Sequence, residues 1–210
     1  GYEITIIDFK KRETSESEKL LADGKAEVRE NLEFLASLGV LSSKEIPTVL
    51  NRIHCISFDQ AEETLANADY IVEGVTELLH SKEEALRRGR KLASDHTVIA
   101  STTSTMLVTQ LMEFSFHPEN FLNAHFLTPA YLIPLVEVSP SDKTDPEKLN
   151  QFLELLESIG KVPVVCKASP GYIIPRFQSL IMSEAARMIE EGVATAEDID
   201  KAVRTGFGVR

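Results

Sequence analysis

The chain has 210 residues, of which 43% are hydrophobic and 26% charged, ordinary values for a globular protein whose core needs neither disulfides nor metals. Its formal charge of −11 disfavours nucleic acid and anionic membrane surfaces as partners, and no apolar run approaches the roughly 20 residues that cross a bilayer. Cys55 and Cys166 lie in apolar runs, so we expect buried free thiols in a reducing cytoplasm. We predict no metal site.

Strand and helix patterns alternate along the first 168 residues. The first predicted strand is the apolar run Ile4–Ile7, which we expect to be buried and to end at Asp8. A long amphipathic helix follows from Ser15 to Leu38, and Ser42 and Glu45 are spaced as a capping box for a short helix. The later predicted strands are 53–58, 70–75, 97–101, 121–126, 135–138 and 162–166, and the helices between them are 59–66, 81–93, 105–114 and 146–159.

This alternation predicts a parallel α/β sheet covered by helices on both faces over residues 1–168. Because the first predicted strand begins almost at Gly1, we expect upstream residues to be missing from this sequence, among them a first strand and a glycine-rich phosphate loop. After Pro170-Gly171 the pattern is helical, with a helix at 177–191 and another that Thr195 and Asp198 cap. Residues 169–210 are therefore predicted to begin an all-helical C-terminal domain.

Two acidic positions are typical of dinucleotide binding. Asp8 ends a strand, where an acidic residue accepts hydrogen bonds from the adenosine ribose of NAD and repels the extra phosphate of NADP. Glu77 follows another strand, where a carboxylate can hold a ribose diol, and Lys82 would supply a cation to the same crevice. The alternatives are a solvated strand-end aspartate, a glutamate that favours a helix dipole and a solvated lysine.

A run of hydroxyl residues, 101–105, follows the strand predicted at 97–101. We expect one of them to hydrogen-bond a substrate oxygen, and the alternative is that Ser104 only caps the next helix.

The most informative segment places His125 at the end of one apolar strand and Glu137 inside another. A glutamate between Val136 and Val138 is costly to bury without a partner, and pairing with His125 would relieve that cost and fix the imidazole tautomer. A histidine so placed can accept the proton of a substrate hydroxyl while the carbon that bears this hydroxyl gives a hydride to NAD.

Together these residues resemble the 3-hydroxyacyl-CoA dehydrogenase family. The matching set is Asp8, Glu77 with Lys82, Ser104, His125 and Glu137, then Pro170-Gly171-Tyr172-Ile173 and Glu190-Glu191-Gly192-Val193 with Glu197-Asp198-Ile199-Asp200. The resemblance implies a Rossmann-like NAD-binding domain followed by a helical dimerisation domain, hence a homodimer with NAD as cofactor. It also implies that His125 and Glu137 are the catalytic pair, that Ser104 contacts the substrate oxygen, and that Glu77 and Lys82 serve the nicotinamide end.

The chain departs from that family at three positions where a side-chain amide is expected. Thr102, Thr128 and Pro175 stand where asparagine is usual. The resemblance implies that Thr128 contacts cofactor and substrate and that Pro175 lines the substrate pocket.

Three hypotheses follow for the function. The first is NAD-dependent oxidation of an L-3-hydroxyacyl-CoA. The second is the same chemistry on a small free hydroxy acid such as gulonate or carnitine, because Tyr131–Glu137 and Gly206–Arg210 are similar to the branch of L-gulonate 3-dehydrogenase and lambda-crystallin. The third is an inactive structural protein of crystallin type. Lys19 and Lys25 on the long helix could meet CoA phosphates, but a solvated helix face is the favoured interpretation.

Overall fold

A computed structural model describes residues 1–208; Val209 and Arg210, the end of the Gly206–Arg210 motif, lie outside them. The chain forms two compact units, the first made of residues 1–99 with 114–116 and the second of residues 100–113 with 117 onward. Within the described part, no helix combines the length and apolarity that crossing a membrane requires. Over the same residues, no three His, Cys, Asp or Glu side chains are grouped so that they could hold a metal ion.

The first unit alternates strands with helices, as predicted. Its strands are β1 (Ile4–Asp8), β2 (Ile53–Ser57) and β3 (Tyr70–Glu73), and its helices are α1 (Thr14–Ser37), α2 (Ile46–Leu50), α3 (Glu62–Ala66) and α4 (Leu79–Leu92). Strand β4 (Val98–Ser101) leads from the first unit into the second.

Strands β1 and β2 are parallel, with Asp8 opposite Ser57 at their carboxyl ends. The prediction of a buried first strand is wrong, because Ile4 and Ile6 are 51% and 41% exposed. Side chains alternate between the faces of a strand, so only the face that carries Thr5 and Ile7 is partly covered.

Two predicted helix starts also differ. The helix predicted at 59–66 is a 3₁₀ turn (Phe58–Gln60) followed by α3. Ser42 and Glu45 do not cap a helix; the Glu45 carboxylate accepts the Ser42 backbone N–H at 2.9 Å, and α2 starts one residue after Glu45, with Pro47 in its first turn.

The second unit contains the site-bearing strands and the C-terminal helices. Its strands are β5 (Phe121–Phe126), β6 (Leu135–Pro140) and β7 (Val162–Val165), and its helices are α5 (Val108–Leu111), α6 (Pro146–Ser158), α7 (Ile174–Glu190) and α8 (Ala196–Ala202). Thr195 caps α8, as predicted, by accepting the Asp198 backbone N–H.

Strand β5 is antiparallel to β6, and β6 is parallel to β7. The all-parallel prediction is therefore wrong for the β5–β6 pair. Only the eight residues 127–134 connect β5 to β6, and a parallel crossover needs a dozen or more residues. Both strands lie in the core, where Phe121, Leu122, Val136 and Val138 are fully buried.

The helix predicted at 105–114 is shorter than expected. Thr103 Oγ1 accepts the backbone N–H groups of Thr105 and Met106, at 3.4 Å and 3.0 Å, and holds these residues in a turn. Helix α5 consequently begins only at Val108.

Candidate active site

His125 and Glu137 face each other across the β5–β6 pair. The antiparallel register places the two residues directly opposite, so their side chains share one face of the sheet. His125 Nδ1 lies 2.8 Å from Glu137 Oε2, and the two side chains are 6% and 0% exposed. The structure thus brings together the two residues on which the sequence interpretation depends.

The second oxygen of Glu137 is bound by the start of α7. Glu137 Oε1 accepts the backbone N–H groups of Ile173 and Ile174 at 2.8 Å and 2.9 Å. A helix N-terminus favours negative charge, so these donors and His125 compensate the burial of the carboxylate. An ionised Glu137 accepts the proton of Nδ1, which leaves His125 Nε2 as the nitrogen with a free lone pair.

The ring of Tyr172 packs against one face of the His125 imidazole, a contact that the sequence did not indicate. Its ring stacks on His125 with centroids 4.8 Å apart and planes 11° apart. Its hydroxyl donates to the Thr103 carbonyl at 2.9 Å and accepts from Asn123 Nδ2 at 3.1 Å. Tyr172 has φ +46°, a left-handed conformation that costs energy for a bulky residue, so this packing maintains it. In the sequence, Tyr172 stands out only as part of the motif Pro170-Gly171-Tyr172-Ile173.

Three further predicted site residues lie in the same unit. Ser104 is exposed in the bend before α5 and does not cap that helix, whose N-cap is Leu107; the capping alternative is therefore wrong. Thr128 is exposed and is joined to Pro129 by a cis peptide bond. Pro175 is half-buried in the first turn of α7. Their substrate and cofactor contacts stay predictions.

In the first unit, Lys82 is buried between carboxylates. Its Nζ lies 3.0 Å from Glu73 Oε1 and 3.3 Å from Glu77 Oε2, and it donates to the Val75 carbonyl. The solvated-lysine alternative is wrong, because the Lys82 side chain is 1% exposed, whereas that of Glu77 is 38% exposed. Glu73, which the sequence analysis did not single out, is the buried partner. Lys82 thus pairs with the carboxylate of Glu77, which stays accessible to solvent.

Replacing Lys82 with methionine is expected to lower the free energy of unfolding by about 3–5 kcal/mol, because the buried Glu73 carboxylate loses its cation. Urea unfolding followed by circular dichroism measures the change. The exposed Lys91 on the same helix provides the matched control, Lys91→Met, for which we expect a change within about 0.5 kcal/mol. Equal effects of the two substitutions would show that the Lys82 ion pair does not stabilise the fold.

Asp8 ends β1, as predicted, but it is not a solvated aspartate. Arg12 Nε lies 2.9 Å from Asp8 Oδ2, and the Asp8 side chain is 6% exposed. The ion pair raises the pKa of Arg12, chiefly through its hydrogen bond to Asp8. The alternative of a solvated strand-end aspartate is therefore wrong.

Both cysteines are free and half-buried rather than buried as predicted. Burial raises the pKa of the Cys166 thiol, and the charge of Glu137 raises it further. Because the folded pKa is raised, the stability that Cys166 contributes is fully present below the pKa of the unfolded thiol. It is lost as the pH rises through the folded pKa.

We expect native Cys166 to be alkylated by iodoacetamide more slowly than the same cysteine in urea, at a pH near the ordinary thiol pKa of about 8.5. Peptide mass spectrometry measures the two rates, with a free cysteine peptide as control. Equal rates in native and unfolded protein would contradict the raised pKa.

Comparisons with known proteins agree with this geometry. Residues 1–169 match the family model described as 3-hydroxyacyl-CoA dehydrogenase, NAD binding domain, and residues 171–210 match the C-terminal domain of the same family. The hydroxyacyl-coenzyme A dehydrogenase, mitochondrial, of Sus scrofa is 30% identical over 99% of this chain, which spans 65% of that protein. The L-carnitine dehydrogenase of Pseudomonas syringae pv. syringae (strain B728a) is 35% identical over 76% of this chain and 50% of its own length.

The crystal structure of 3-hydroxybutyryl-CoA dehydrogenase from Escherichia coli K12 superimposes with a TM-score of 0.84 and 29% identity, over 97% of this chain and 41% of that one. Both the Rossmann-like fold and the helical C-terminal segment are thus shared with solved members of the family. The chain belongs to the 3-hydroxyacyl-CoA dehydrogenase family.

Proposed function

We propose that the protein catalyses the NAD-dependent oxidation of the 3-hydroxyl group of an L-3-hydroxyacyl-CoA. The observation that carries this proposal is the buried His125–Glu137 pair, with its 2.8 Å contact and the second Glu137 oxygen held by α7. Family membership supports the same reaction class.

In this proposal His125 Nε2 takes the proton of the substrate hydroxyl. Glu137 stabilises the positive charge that the ring then carries and keeps Nδ1 protonated throughout. Ser104, in the bend after β4, donates a hydrogen bond to the substrate oxygen.

The carboxylates of the first unit fit NAD. Asp8 at the end of β1 and the accessible carboxylate of Glu77 are acceptors of the kind that bind ribose hydroxyls. NAD, when bound, supplies the acceptor for the hydride that leaves the hydroxyl-bearing carbon. We propose that Asp8 binds the adenosine ribose and that Glu77, held by Lys82, serves the nicotinamide end, with Thr128 contacting cofactor and substrate.

A small free hydroxy acid is the second candidate substrate. Two observations favour it: the similarity to an L-carnitine dehydrogenase, and Pro175, which places a ring without a hydrogen-bonding group in the first turn of α7. The acid–base chemistry would be unchanged.

Consumption of NADH separates the two candidates. We expect acetoacetyl-CoA to be reduced with a higher kcat/KM than free acetoacetate or 3-dehydrocarnitine. A higher kcat/KM for a free acid would assign the protein to the hydroxy-acid class. No reduction of any of them would favour the structural role.

We also propose a homodimer formed through the helical segment. Phe177, Leu180 and Met182 on α7 are 58%, 68% and 72% exposed, an apolar surface that favours association. Light scattering after size-exclusion chromatography should give a mass of two chains, and Leu180→Asp should lower the measured mass toward that of a single chain. A single-chain mass for the unsubstituted protein would contradict the proposal.

Finally, we propose a cytoplasmic location. Two half-buried free cysteines are consistent with a reducing compartment. Fractionation of cells that produce the tagged protein tests this.

A further inference from the structure

A cavity of about 150 Å³ lies beside the end of β1 in the first unit. It is lined by more cations than anions, four against two: Lys10, Lys11, Arg12 and Arg88 against Glu18 and Asp59. Arg12 pairs with Asp8 and Glu16, and Arg88 pairs with Glu84. Among residues 1–208, no carboxylate forms an ion pair with Lys10 or Lys11, so these two lysines supply the uncompensated positive charge of the cavity, although the chain as a whole carries −11.

Arg88 is held rigidly at this cavity. Its guanidinium carbon lies 4.0 Å from the ring centroid of Phe58 and 4.5 Å from that of Phe9, and Nη1 donates to the Phe9 carbonyl at 3.3 Å. An arginine packed against two aromatic rings loses little conformational freedom when it binds an anion.

Asp8, next to the cavity, does not present a free negative charge. Arg12 Nε binds its Oδ2 at 2.9 Å, and the Lys10 backbone N–H lies 3.3 Å from Oδ1. The paired Asp8 carboxylate therefore repels a phosphate less than a free aspartate would. Asp8 keeps acceptor lone pairs for ribose hydroxyls.

The hydroxyl of Ser17 gives an independent indication of a ligand. Ser17 lines the cavity, is 8% exposed, and its Oγ is buried without a hydrogen-bond partner. Buried hydroxyls are normally paired. Ser17 also lies in the first turn of α1, a 24-residue helix whose N-terminus favours an anion.

We propose that this cavity binds a phosphate monoester carried by an adenosine ribose, so that the protein accepts a phosphorylated nucleotide besides NAD. The 2′-phosphate of NADP is the favoured source, because the cavity adjoins the aspartate to which we assign the adenosine ribose. The 3′-phosphate of CoA is the other source. The proposal rests on the proposed function only in taking an adenosine nucleotide as the ligand.

Calorimetric titration of the protein with three mononucleotides tests this without turnover, so it is independent of the proposed reaction. The probes are adenosine 2′,5′-bisphosphate, adenosine 3′,5′-bisphosphate and 5′-AMP. We expect the 2′,5′-bisphosphate to bind about tenfold or more tightly than 5′-AMP, the gain of one charge-assisted contact. A preference for the 3′,5′-bisphosphate instead would assign the cavity to CoA. Equal affinity of both bisphosphates and 5′-AMP would overturn the proposal.

Substitutions locate the effect. Lys10→Ser combined with Lys11→Ser should abolish the preference for the bisphosphate, and Ser17→Ala should reduce it, while 5′-AMP binding changes little. Lys19→Ser provides the control, since Lys19 is exposed on α1 and does not line the cavity. If Lys19→Ser reduces the preference as much as the double substitution, general charge attraction explains it and the proposed site is wrong.

Discussion

Replacing His125 with glutamine is expected to lower kcat for hydroxyacyl oxidation by roughly 10²–10⁴-fold, the usual contribution of a positioned general base. Glutamine retains polar atoms near Glu137 but no nitrogen that can take a proton at neutral pH. We expect the Kd for NAD to stay nearly unchanged, because Asp8 and Glu77, the proposed ribose ligands, remain in place. Initial rates of NADH formation and titration with NAD measure the two quantities.

A matched control exists on the surface. His117 Nδ1 lies 2.9 Å from Glu119 Oε1, the same kind of pair as His125 with Glu137, but its side chain is 39% exposed. His117→Gln should leave kcat unchanged. Activity of His125→Gln equal to that of His117→Gln would remove His125 from the mechanism.

Replacing Glu137 with glutamine is expected to lower kcat by about 10³–10⁴-fold through the wrong imidazole tautomer. The carbonyl oxygen of the new amide should still accept the N–H groups of Ile173 and Ile174, which turns the amide NH₂ toward His125. His125 Nδ1 must then accept a hydrogen bond, so the proton moves to Nε2, where the substrate proton should go. Initial rates of NADH formation measure the loss.

Measurements of the free energy of unfolding show whether the loss of kcat comes from the imidazole tautomer or from a destabilised fold. Glu137→Gln keeps the backbone contacts at α7 and should alter the free energy of unfolding far less than Glu137→Ala. The alanine variant leaves two partly buried N–H groups without their carboxylate acceptor, and its free energy of unfolding should fall by about 2–5 kcal/mol. Glu119→Gln, the surface counterpart, should change neither quantity. A Glu137→Gln variant with full activity would contradict the tautomer argument.

Much of this site could be predicted from the sequence because burial of charge is visible there. A glutamate between two valines on a strand must have a partner, and His125 ends a neighbouring apolar run. The position of Asp8 at the end of a strand could be predicted because the apolar run before it ends there. These inferences need only the periodicity of single elements.

What the sequence could not give depends on the relation between elements. The apolar pattern of β5 and β6 is the same for either strand direction, and only the short connection 127–134 between them indicates that they are antiparallel. Tyr172 under His125, Arg12 on Asp8 and Glu73 on Lys82 depend on rotamers and on chain reversal, neither of which residue spacing specifies.

Lys82 is a second case in which the contact depends on the relation between two elements. The sequence predicts that Lys82 supplies a cation to a crevice or, as the alternative, that it is solvated, and the structure shows that the solvated alternative is wrong. It is buried, pairs with Glu73 and orients Glu77. Isolated lysines are rarely buried, so composition favours the surface until a carboxylate on the preceding strand is placed beside it.

The most direct test of the central claim is the rate of NADH formation from L-3-hydroxybutyryl-CoA and NAD, measured side by side for the unsubstituted protein, His125→Gln and Glu137→Gln. We predict steady NADH formation by the unsubstituted protein and a loss of at least about 10²-fold in each variant. NADH formed equally well by either variant would contradict the assignment of this pair as the acid–base machinery.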